Sequence, residues 1–428
     1  MKKLIILITV SLLGVNLLTG CGKDNKIKVE DKKENIVLTF FGFKVGETQY
    51  EMLEKLINGF ESENPGIKIN YEGIANADGY LDLLYKRIDG EEADDLFMLN
   101  PFAFTVAKKR GYIGTYIYDL KNEDFLNQYN DTIRALMNID GHVLAIPMES
   151  SAIGLLVNID LLDKYGLDIP ENYGSFLNCC EVLAKNRITP IAVCFVDGGI
   201  SSGHNFAIGR SLCDIDLNSL DFEALKSGRK SIGEIFRPGF ELVKEFTQKK
   251  YWKVIEPEAN RDWAEDGEMF IKGEVAFIIV GSWRLPKFKL KNISFTYKFI
   301  ALPFSDSGNI AIIRASTPIC VNSKGKHLDL SLKFLEYISQ VKHVEAFTIS
   351  QNALSPLKNG VKPVAILEDI NKTIQTGRIT TDSDPRFPFA VLTQSANMCK
   401  AIASGKMTVD EAVVYFDTIV NKQIETPK

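Results

Sequence analysis

One pentapeptide in the sequence has the spacing needed for nucleophilic catalysis. The segment Gly199-Ile-Ser201-Ser-Gly203 fits the G-x-S-x-G pattern, and His327 and His343 follow it along the chain. In that pattern the serine must lie on a tight turn directly between a strand and a helix. Here additional glycines after the predicted strand make a loose loop instead. A serine hydrolase that uses Ser201 is therefore the least favoured hypothesis, and we expect a protein that is not an enzyme.

Metal chemistry has no support in the spacing of the potential ligands. The four histidines are scattered, and no pair of cysteines has the CxxC spacing of a zinc site. The acidic run from Glu91 to Asp95 is not followed by the spacing of an EF-hand loop, so it is better explained as the approach to a strand. We expect neither a metal nor another cofactor.

Six cysteines besides Cys21 lie in apolar sequence contexts. Cys179 and Cys180 are adjacent on a predicted helix, about 100° apart around its axis, which places them poorly for bridging each other. A domain of this size does not depend on disulfides for its stability. We therefore predict mostly free, buried thiols.

The N-terminus has the features of an export signal. Lys2 and Lys3 precede the apolar run Leu4–Leu18, which is shorter than a comfortable membrane span. The tetrapeptide that ends at Cys21, Leu-Thr-Gly-Cys, resembles the lipobox of bacterial lipoproteins. The resemblance implies cleavage before Cys21, lipidation of its thiol, for example with palmitate, and anchoring on the extracytoplasmic side of the cell membrane. An uncleaved anchor or a simple secretory signal is the alternative.

A flexible tether and a large globular part follow the predicted signal of residues 1–21. In Lys23–Asn35, nine of thirteen residues are charged, so residues 22–35 bury too little apolar surface to fold, and they reach roughly 20 Å as a flexible chain. The remaining chain is too long for one ordinary core and indicates two domains. A net charge of −5, with mixed signs throughout, argues against a nucleic-acid partner.

Alternating strand and helix patterns predict an α/β fold. Strands are expected at Ile36–Phe41 and Ile67–Tyr71, and a helix with a 3.6-residue apolar period is expected at Glu47–Phe60. The alternation continues with a strand at Ile153–Val157 and a helix at Tyr173–Lys185. Such alternation predicts parallel sheets with helices on both faces, and a ligand cleft outside the carboxyl ends of the strands.

Several segments together resemble a known family, and the similarity runs from about Val37 to the C-terminus. The segments that carry the similarity are Phe60–Ile69, Gly90–Met98, Asp140–Pro147, Ser150–Asn158, Asp160–Gly166, Met269–Phe277, Gly281–Trp283, Leu354–Leu357 and Gly405–Ala412. No single motif is decisive, but the order and spacing of the motifs are specific. Together they resemble the extracellular solute-binding proteins of family 1, the maltose-binding-protein-like receptors of carbohydrate ABC importers.

The resemblance implies a two-domain, periplasmic-binding-protein-like (type II) fold with a ligand cleft and three hinge crossings. We expect one domain from residues 36–145 plus 312–355 and the other from 146–311 plus 356–428. The resemblance also implies a monomeric lipoprotein that captures a sugar and delivers it to membrane permease subunits. We expect the sugar to be an oligosaccharide. A receptor for a non-sugar solute such as a polyamine, a phosphonate or ferric ion is the alternative; a chemosensory subunit without transport would have the same sequence features.

Trp283 is the strongest candidate for contacting a sugar, since sugars offer C–H patches to aromatic faces and hydroxyls to polar groups. It follows Gly281 and Ser282 at the end of the apolar strand Val275–Val280, although a core or rim tryptophan is the alternative. Other candidates follow strands, precede helices or lie at the first crossing. They are Ser282, Phe43, Glu47, Asn100, Phe102, Glu149, Ser150 and Asn205, with His204 beside the last. The family also implies an aromatic residue near Asp384–Pro388, where Arg386, Phe387 and Phe389 are the options.

Overall fold

The computed structural model of the protein describes residues 36–75, 79–196, 201–255, 264–382, 384–387 and 389–425. The chain from Ile36 onward forms one compact unit. The predicted signal, Cys21 and the tether lie outside the described residues. Among the residues described, no helix has the length and apolar character required to cross a membrane.

The described residues form thirteen strands, most of which belong to one mixed sheet. The strands are β1 (Ile36–Gly42), β2 (Ile67–Gly73), β3 (Leu96–Met98), β4 (Asn138–Ile139), β5 (His142–Val143), β6 (Ile146–Asn158), β7 (Ile191–Cys194), β8 (Trp252–Ile255), β9 (Phe277–Gly281), β10 (Tyr297–Ile300), β11 (Leu302–Ser305), β12 (Gly308–Val321) and β13 (Ile379–Thr380).

Sixteen α-helices surround the sheet in the described part of the chain. They are α1 (Glu47–Glu63), α2 (Tyr80–Asp89), α3 (Phe104–Lys109), α4 (Asp131–Leu136), α5 (Ile159–Lys164), α6 (Tyr173–Lys185), α7 (Ser202–Leu212), α8 (Phe222–Lys226), α9 (Ile232–Gln248), α10 (Ala264–Ile271), α11 (Leu285–Lys289), α12 (Leu328–Ser339), α13 (Val341–Ser350), α14 (Glu368–Gln375), α15 (Phe389–Ala403) and α16 (Val409–Glu425). Short 3₁₀ turns include Pro101–Ala103 and Ser282–Arg284.

Two blocks of parallel strands are joined by antiparallel strands. The sheet order is β2-β1-β3-β12-β6-β9-β7-β8, and β10, β11 and β13 pair at the sides of β6 and β12. Strands β1, β2 and β3 are mutually parallel, as are β9, β7 and β8. The α/β class is thus confirmed, but the sequence did not indicate that antiparallel β12 and β6 would connect the two parallel blocks.

The three segments that were predicted to contain crossings are neighbours at Ser150. Ser150 of β6 pairs with Ala315 of β12, and its backbone N–H and C=O both bond to Leu354. The N–O distances of these last two bonds are 2.8 and 2.9 Å. Ile146 itself pairs with Ile319, five residues beyond the predicted range Ile310–Arg314. The exact domain boundaries stay a prediction.

Two hydrophobic clusters form the core, and β6 contributes to both. Every residue of β6 is buried, and its side chains alternate between the clusters, as a two-residue strand period requires. Ala152 and Leu156 belong to the first cluster, whereas Ile153, Leu155 and Val157 belong to the second. A strand buried on both faces fixes its register, because a slip of one residue would exchange the two sets.

Local sequence signals explain where several helices begin. Helix α6 has the predicted bounds Tyr173–Lys185 and starts with a capping box, in which Asn172 Oδ1 accepts from Ser175 N at 2.9 Å. Asn158, which ends β6, caps α5 by accepting from Leu161 N at 3.0 Å. Such side-chain caps satisfy amide groups that the first turn of a helix leaves without partners.

The six cysteines other than Cys21 are free and buried, which confirms the prediction. Burial raises the pKa of the thiols of Cys179 and Cys213 to about 11, although Arg210 partly opposes the effect at Cys213. Thiolate is the reactive form of cysteine, so these groups are chemically quiet at neutral pH.

Helices α7 and α9 pack closely enough to require glycine at Gly239. Gly239 N donates to Ser211 Oγ at 3.1 Å, and a Cβ at this position would overlap Ala207 O and Ser211 Oγ. Gly239→Ala is expected to lower the free energy of unfolding by about 1–3 kcal/mol, because a rigid backbone oxygen cannot yield. Gly174→Ala in α6 is the control, since the nearest atom there is at ordinary contact distance. Urea unfolding that gave equal stabilities for the two variants would contradict this packing.

Candidate functional site

Trp283 lies in the 3₁₀ turn that follows β9, and its side chain is 40% exposed. The indole ring folds back over the end of the strand, where a Cβ on Gly281 would overlap it. The absence of a side chain at Gly281 therefore makes room for the ring. A partly exposed indole on a fixed turn provides a flat apolar surface that solvent reaches.

A buried ion pair supports the indole. Arg314 of β12 has its guanidinium carbon 5.3 Å from the centroid of the Trp283 ring. Arg314 Nε donates to Asp382 Oδ1 at 2.7 Å, and Nη2 contacts Asp382 Oδ2. The Asp382 side chain is fully buried, whereas that of Arg314 is slightly exposed. We call Trp283, Arg314 and Asp382 the Trp283 cluster.

His204 lies near this cluster in α7 and is fully buried. Its Nε2 is 2.6 Å from Ser395 Oγ of α15. Burial lowers the pKa of the His204 imidazole to about 3; the charge of Arg314 acts in the same direction, and that of Asp382 opposes it. His204 is therefore neutral and serves as a hydrogen-bonding group at physiological pH.

A second guanidinium–carboxylate pair follows Asp382 along the chain. Arg386 Nε and Nη2 donate to Asp384 at 2.9 and 2.6 Å, and the guanidinium lies 4.3 Å from the centroid of the Phe222 ring. Phe387 is buried against Phe222 and Phe236 in the second cluster. Of the predicted alternatives, Arg386 is thus the one with partial exposure, whereas the ring of Phe387 packs in the core. The side chain of Phe389 lies outside the described residues.

Loops of the first parallel block carry the other aromatic candidates. Phe43 follows β1 and packs edge-to-face on Tyr80, with 5.4 Å between ring centroids. Phe102 packs against both hydrophobic clusters, so its turn reaches the second cluster. Asn100 precedes that turn, and its side chain makes no capping hydrogen bond. Glu47 begins α1, and its side chain is outside what the structure describes.

Three predicted contact residues are buried in this structure, and their contact with a ligand stays a prediction. Ser282 Oγ accepts from Ala152 N at 3.1 Å, and Ser150 Oγ donates to Arg314 O at 3.1 Å. Asn205 is completely buried in α7, and neither of its amide atoms has a hydrogen-bond partner among the described residues. Sequence position alone does not reveal which way a side chain turns.

Glu149 is also buried, and its partners are internal. Its Oε1 accepts from Lys44 Nζ at 2.8 Å and from Thr317 Oγ1 at 2.7 Å. The carboxylate that was a candidate ligand contact therefore has partners in the loop after β1 and in β12.

Ser201 does not have the surroundings of a catalytic nucleophile. It precedes α7 as the N-cap residue and is completely buried, and within the described residues its Oγ has no hydrogen-bond partner. His343 bonds through Nδ1 to Tyr337 O at 2.6 Å, and His327 precedes α12. Gly199 lies outside the described residues. The structure thus brings neither predicted histidine to Ser201.

Two cavities lie on the opposite face of β12 from the Trp283 cluster. They have volumes of about 1020 and 830 Å³, and both are lined by Ile313, the neighbour of Arg314 along the strand. Adjacent side chains in a strand point to opposite faces. The described residues that line these cavities include Arg386 and Ser150, but none of them is aromatic. The Trp283 cluster is therefore better suited to stacking on a ring.

The Trp283 cluster combines an apolar face with polar groups held in fixed positions. A pyranose ring can stack on the indole, and carboxylate and guanidinium groups can hydrogen-bond hydroxyls in pairs. Sequence reasoning found Trp283 but missed Arg314 and Asp382. Only the charge of Arg314, which directly follows the apolar run Ile310–Ile313, signalled an unusual position.

Comparisons with known proteins agree on one family and one fold. The sequence profile described as "Bacterial extracellular solute-binding protein" matches residues 45–342. The multiple sugar-binding protein of Streptococcus mutans is 23% identical over 81% of this chain and 80% of its own length.

Solved structures with the same fold cover nearly the whole chain. The GacH receptor of Streptomyces glaucescens, studied unliganded and with acarbose, has a TM-score of 0.73 at 17% identity, covering 92% of this chain and 100% of that one. A sugar transporter protein of Bacillus licheniformis in complex with stachyose has a TM-score of 0.67 at 19% identity, covering 90% of this chain and 100% of that one. These similarities confirm the predicted two-domain fold class.

Acid should destabilise the protein through His204. Its pKa is about 3 in the folded state and about 6.5 when unfolded, so the unfolded state binds the proton first as the pH falls. The contribution of neutral His204 to the free energy of unfolding is fully present above pH 6.5. It decreases between about pH 6.5 and 3, by up to about 1.4 kcal/mol per pH unit. His204→Asn should remove that slope in urea unfolding at pH 6 to 4. A slope unchanged by the substitution, or an imidazole NMR signal that titrates near pH 6, would contradict the assignment.

Proposed function

Because the chain belongs to the bacterial extracellular solute-binding proteins, we propose that it is the substrate-binding subunit of an ABC importer and captures a neutral oligosaccharide. A relative named for binding multiple sugars and a structural neighbour solved with stachyose support the choice of a sugar. The proposed partners are the ligand and the permease subunits in the membrane, and the receptor acts as a monomer.

The observation that carries this proposal is the exposed indole of Trp283 beside the Arg314–Asp382 pair. Arg314 lies under one part of the ring at 5.3 Å, so the aromatic face and the hydrogen-bonding groups share one surface. Sugar receptors need both elements, since stacking orients the ring and the polar groups select its hydroxyls. We propose that Trp283, with Phe43, Asn100 and Phe102 from the other parallel block, contacts the ligand.

The charges of the Trp283 cluster favour a neutral solute over an ionic one. Arg314 is paired with Asp382. The cation is thus balanced by one carboxylate. A polyamine receptor would need surplus carboxylates, and a phosphonate receptor would need surplus cations, because a buried charge requires a partner. The same balance suits a sugar, whose hydroxyls use charged groups as hydrogen-bond partners without carrying charge.

In the proposed mechanism, binding shifts the protein between two conformations. A ligand that contacts both parallel blocks favours the conformation in which those contacts form together. The crossings at β6, β12 and Leu354 would absorb the rotation. The closed receptor would then dock on the permease, and the lipid on Cys21 would keep it at the membrane surface.

Trp283→Ala should weaken sugar binding without unfolding the protein. Loss of a stacking aromatic costs on the order of 2–4 kcal/mol, which raises the dissociation constant by roughly thirty-fold to nearly a thousand-fold. A thermal-shift screen with raffinose, stachyose and chitin oligosaccharides would first identify the ligand, and calorimetry would then compare the variants.

Trp252 provides the matched control, because its ring is buried against Phe206 and Phe246. Trp252→Leu should lower the melting temperature while leaving the affinity of the folded protein unchanged. The proposal fails if Trp283→Ala behaves like Trp252→Leu, or if no saccharide stabilises the wild-type protein.

Cys21→Ser should release a folded protein from the membrane fraction. The lipobox-like sequence before Cys21 implies a lipid anchor, and among the described residues no helix could replace that lipid as a membrane attachment. Fractionation of cells that express the full chain would measure this. A Cys21→Ser protein that stayed with the membrane would instead support an uncleaved N-terminal anchor.

A further inference from the structure

A buried ion pair connects the loop after β1 to the crossing strands. Glu149 Oε1 accepts from Lys44 Nζ at 2.8 Å and from Thr317 Oγ1 at 2.7 Å. The side chains of Lys44 and Glu149 are only 12% and 7% exposed. We call Lys44, Glu149 and Thr317 the junction. Glu149 Oε1 thus accepts one hydrogen bond from the loop after β1 and one from β12.

The junction reaches all three crossings. Glu149 belongs to β6 and Thr317 to β12. Lys44 Nζ also donates to Gln351 Oε1 at 3.3 Å, and Gln351 directly follows α13, ahead of the segment that pairs with β6 at Leu354. Displacement of Lys44 would therefore disturb hydrogen bonds on each connection between the two blocks.

Lys44 is also fixed to the loop that presents Phe43. Its backbone N–H donates to Tyr71 Oη at 3.0 Å, and Tyr71 Oη in turn lies 2.9 Å from Lys44 O. The Tyr71 ring stacks on Tyr50 with 4.8 Å between centroids. The loop therefore has a rigid support on one side, and the Lys44 side chain connects its other side to Glu149.

Thr317 has an unfavourable backbone conformation inside a long strand. Its φ angle is 49°, in the left-handed region that β-branched residues rarely adopt, and the next residue is Pro318, which further disfavours helical conformations before it. Strand pairing continues on both sides, between Ser316 and Glu149 and between Pro318 and Pro147. Such strain persists only where surrounding contacts hold it, and it concentrates at sites that change conformation.

We propose that Lys44 is a positioning residue that couples the ligand-facing loop after β1 to the backbone conformation of Thr317, through Glu149. The inference rests on the proposed sugar-binding function and adds a route from ligand contact to domain rotation. Movement of Phe43 on binding shifts Lys44, and the shared carboxylate passes that shift to β12. The strained Thr317 backbone is the element with two accessible conformations.

The coupling between Lys44 and Thr317 can be measured by comparing single and double substitutions. Lys44→Met removes the cation, and Thr317→Val removes the hydroxyl while keeping the branched shape. Because both act on the same carboxylate oxygen, their effects on ligand affinity should be less than additive. Each single variant should raise the dissociation constant of the sugar found in the thermal-shift screen by about tenfold or more, and the double variant by little beyond either single one.

Conservative variants and a matched ion pair separate positioning from general stability. Lys44→Arg and Thr317→Ser keep the donors and should restore affinity to within about threefold of the wild type. Arg87→Met breaks a comparably buried pair with Asp94, at 2.8 Å, that includes no residue of the junction. It should lower the melting temperature and leave the dissociation constant unchanged. Equal losses of affinity in Arg87→Met and Lys44→Met, or fully additive losses in the double variant, would overturn the proposal.

Hydrogen exchange of the ligand-free protein tests the junction independently of any sugar. Thr317→Val should accelerate exchange at the amide of Lys44, which lies in a different segment, and Lys44→Met should accelerate exchange in residues 316–321. Arg87→Met should change neither. Unchanged exchange at the distant member of the junction would overturn the coupling. If the wild type binds no saccharide but exchange responds as expected, the proposed function fails while the junction stands.

Discussion

The pairing of β6 with β12 is the constraint on which the rest of the structure depends. These two antiparallel strands connect the parallel blocks, and β6 is buried along its whole length. Because its alternating side chains supply both hydrophobic clusters, neither cluster can form around a shifted register. The same pairing places Arg314 against Trp283 and Glu149 against Thr317. Core, candidate site and crossings thus depend on one ladder of hydrogen bonds.

Sequence periodicity predicted the bounds of elements whose apolar and polar residues follow one regular pattern. Elements that also bury polar residues were predicted too short. Helix α6 has the predicted bounds, because its apolar spacing and cap agree. Strand β6 was predicted only for Ile153–Val157 but begins at Ile146, since the polar run from Glu149 to Ser151 looks like a loop. Those polar groups are buried with partners, for example Ser151 Oγ at 2.7 Å from Ser316 Oγ. Burial of polar groups is tolerated when such partners exist, but the partners are distant in sequence.

The candidate site was only partly predictable for the same reason. Trp283 could be found because strand ends in α/β sheets point toward ligand sites. The pairing of Arg314 with Asp382 spans 68 residues and leaves no local pattern. Neighbours such as Arg386 and Phe387 differ in exposure although their sequence context is shared. Local patterns specify which segments reach a site, whereas packing between distant segments decides which side chains face it.

The free and buried state of the six cysteines has a practical consequence for an exported protein. Because no described pair forms a disulfide, the folded state of this part of the chain does not depend on an oxidising catalyst. The thiols are also shielded from alkylating reagents by burial and raised pKa. A single cysteine introduced on the surface of a chain that begins at Ile36 can thus be labelled selectively, which makes the protein a convenient scaffold for a fluorescent reporter.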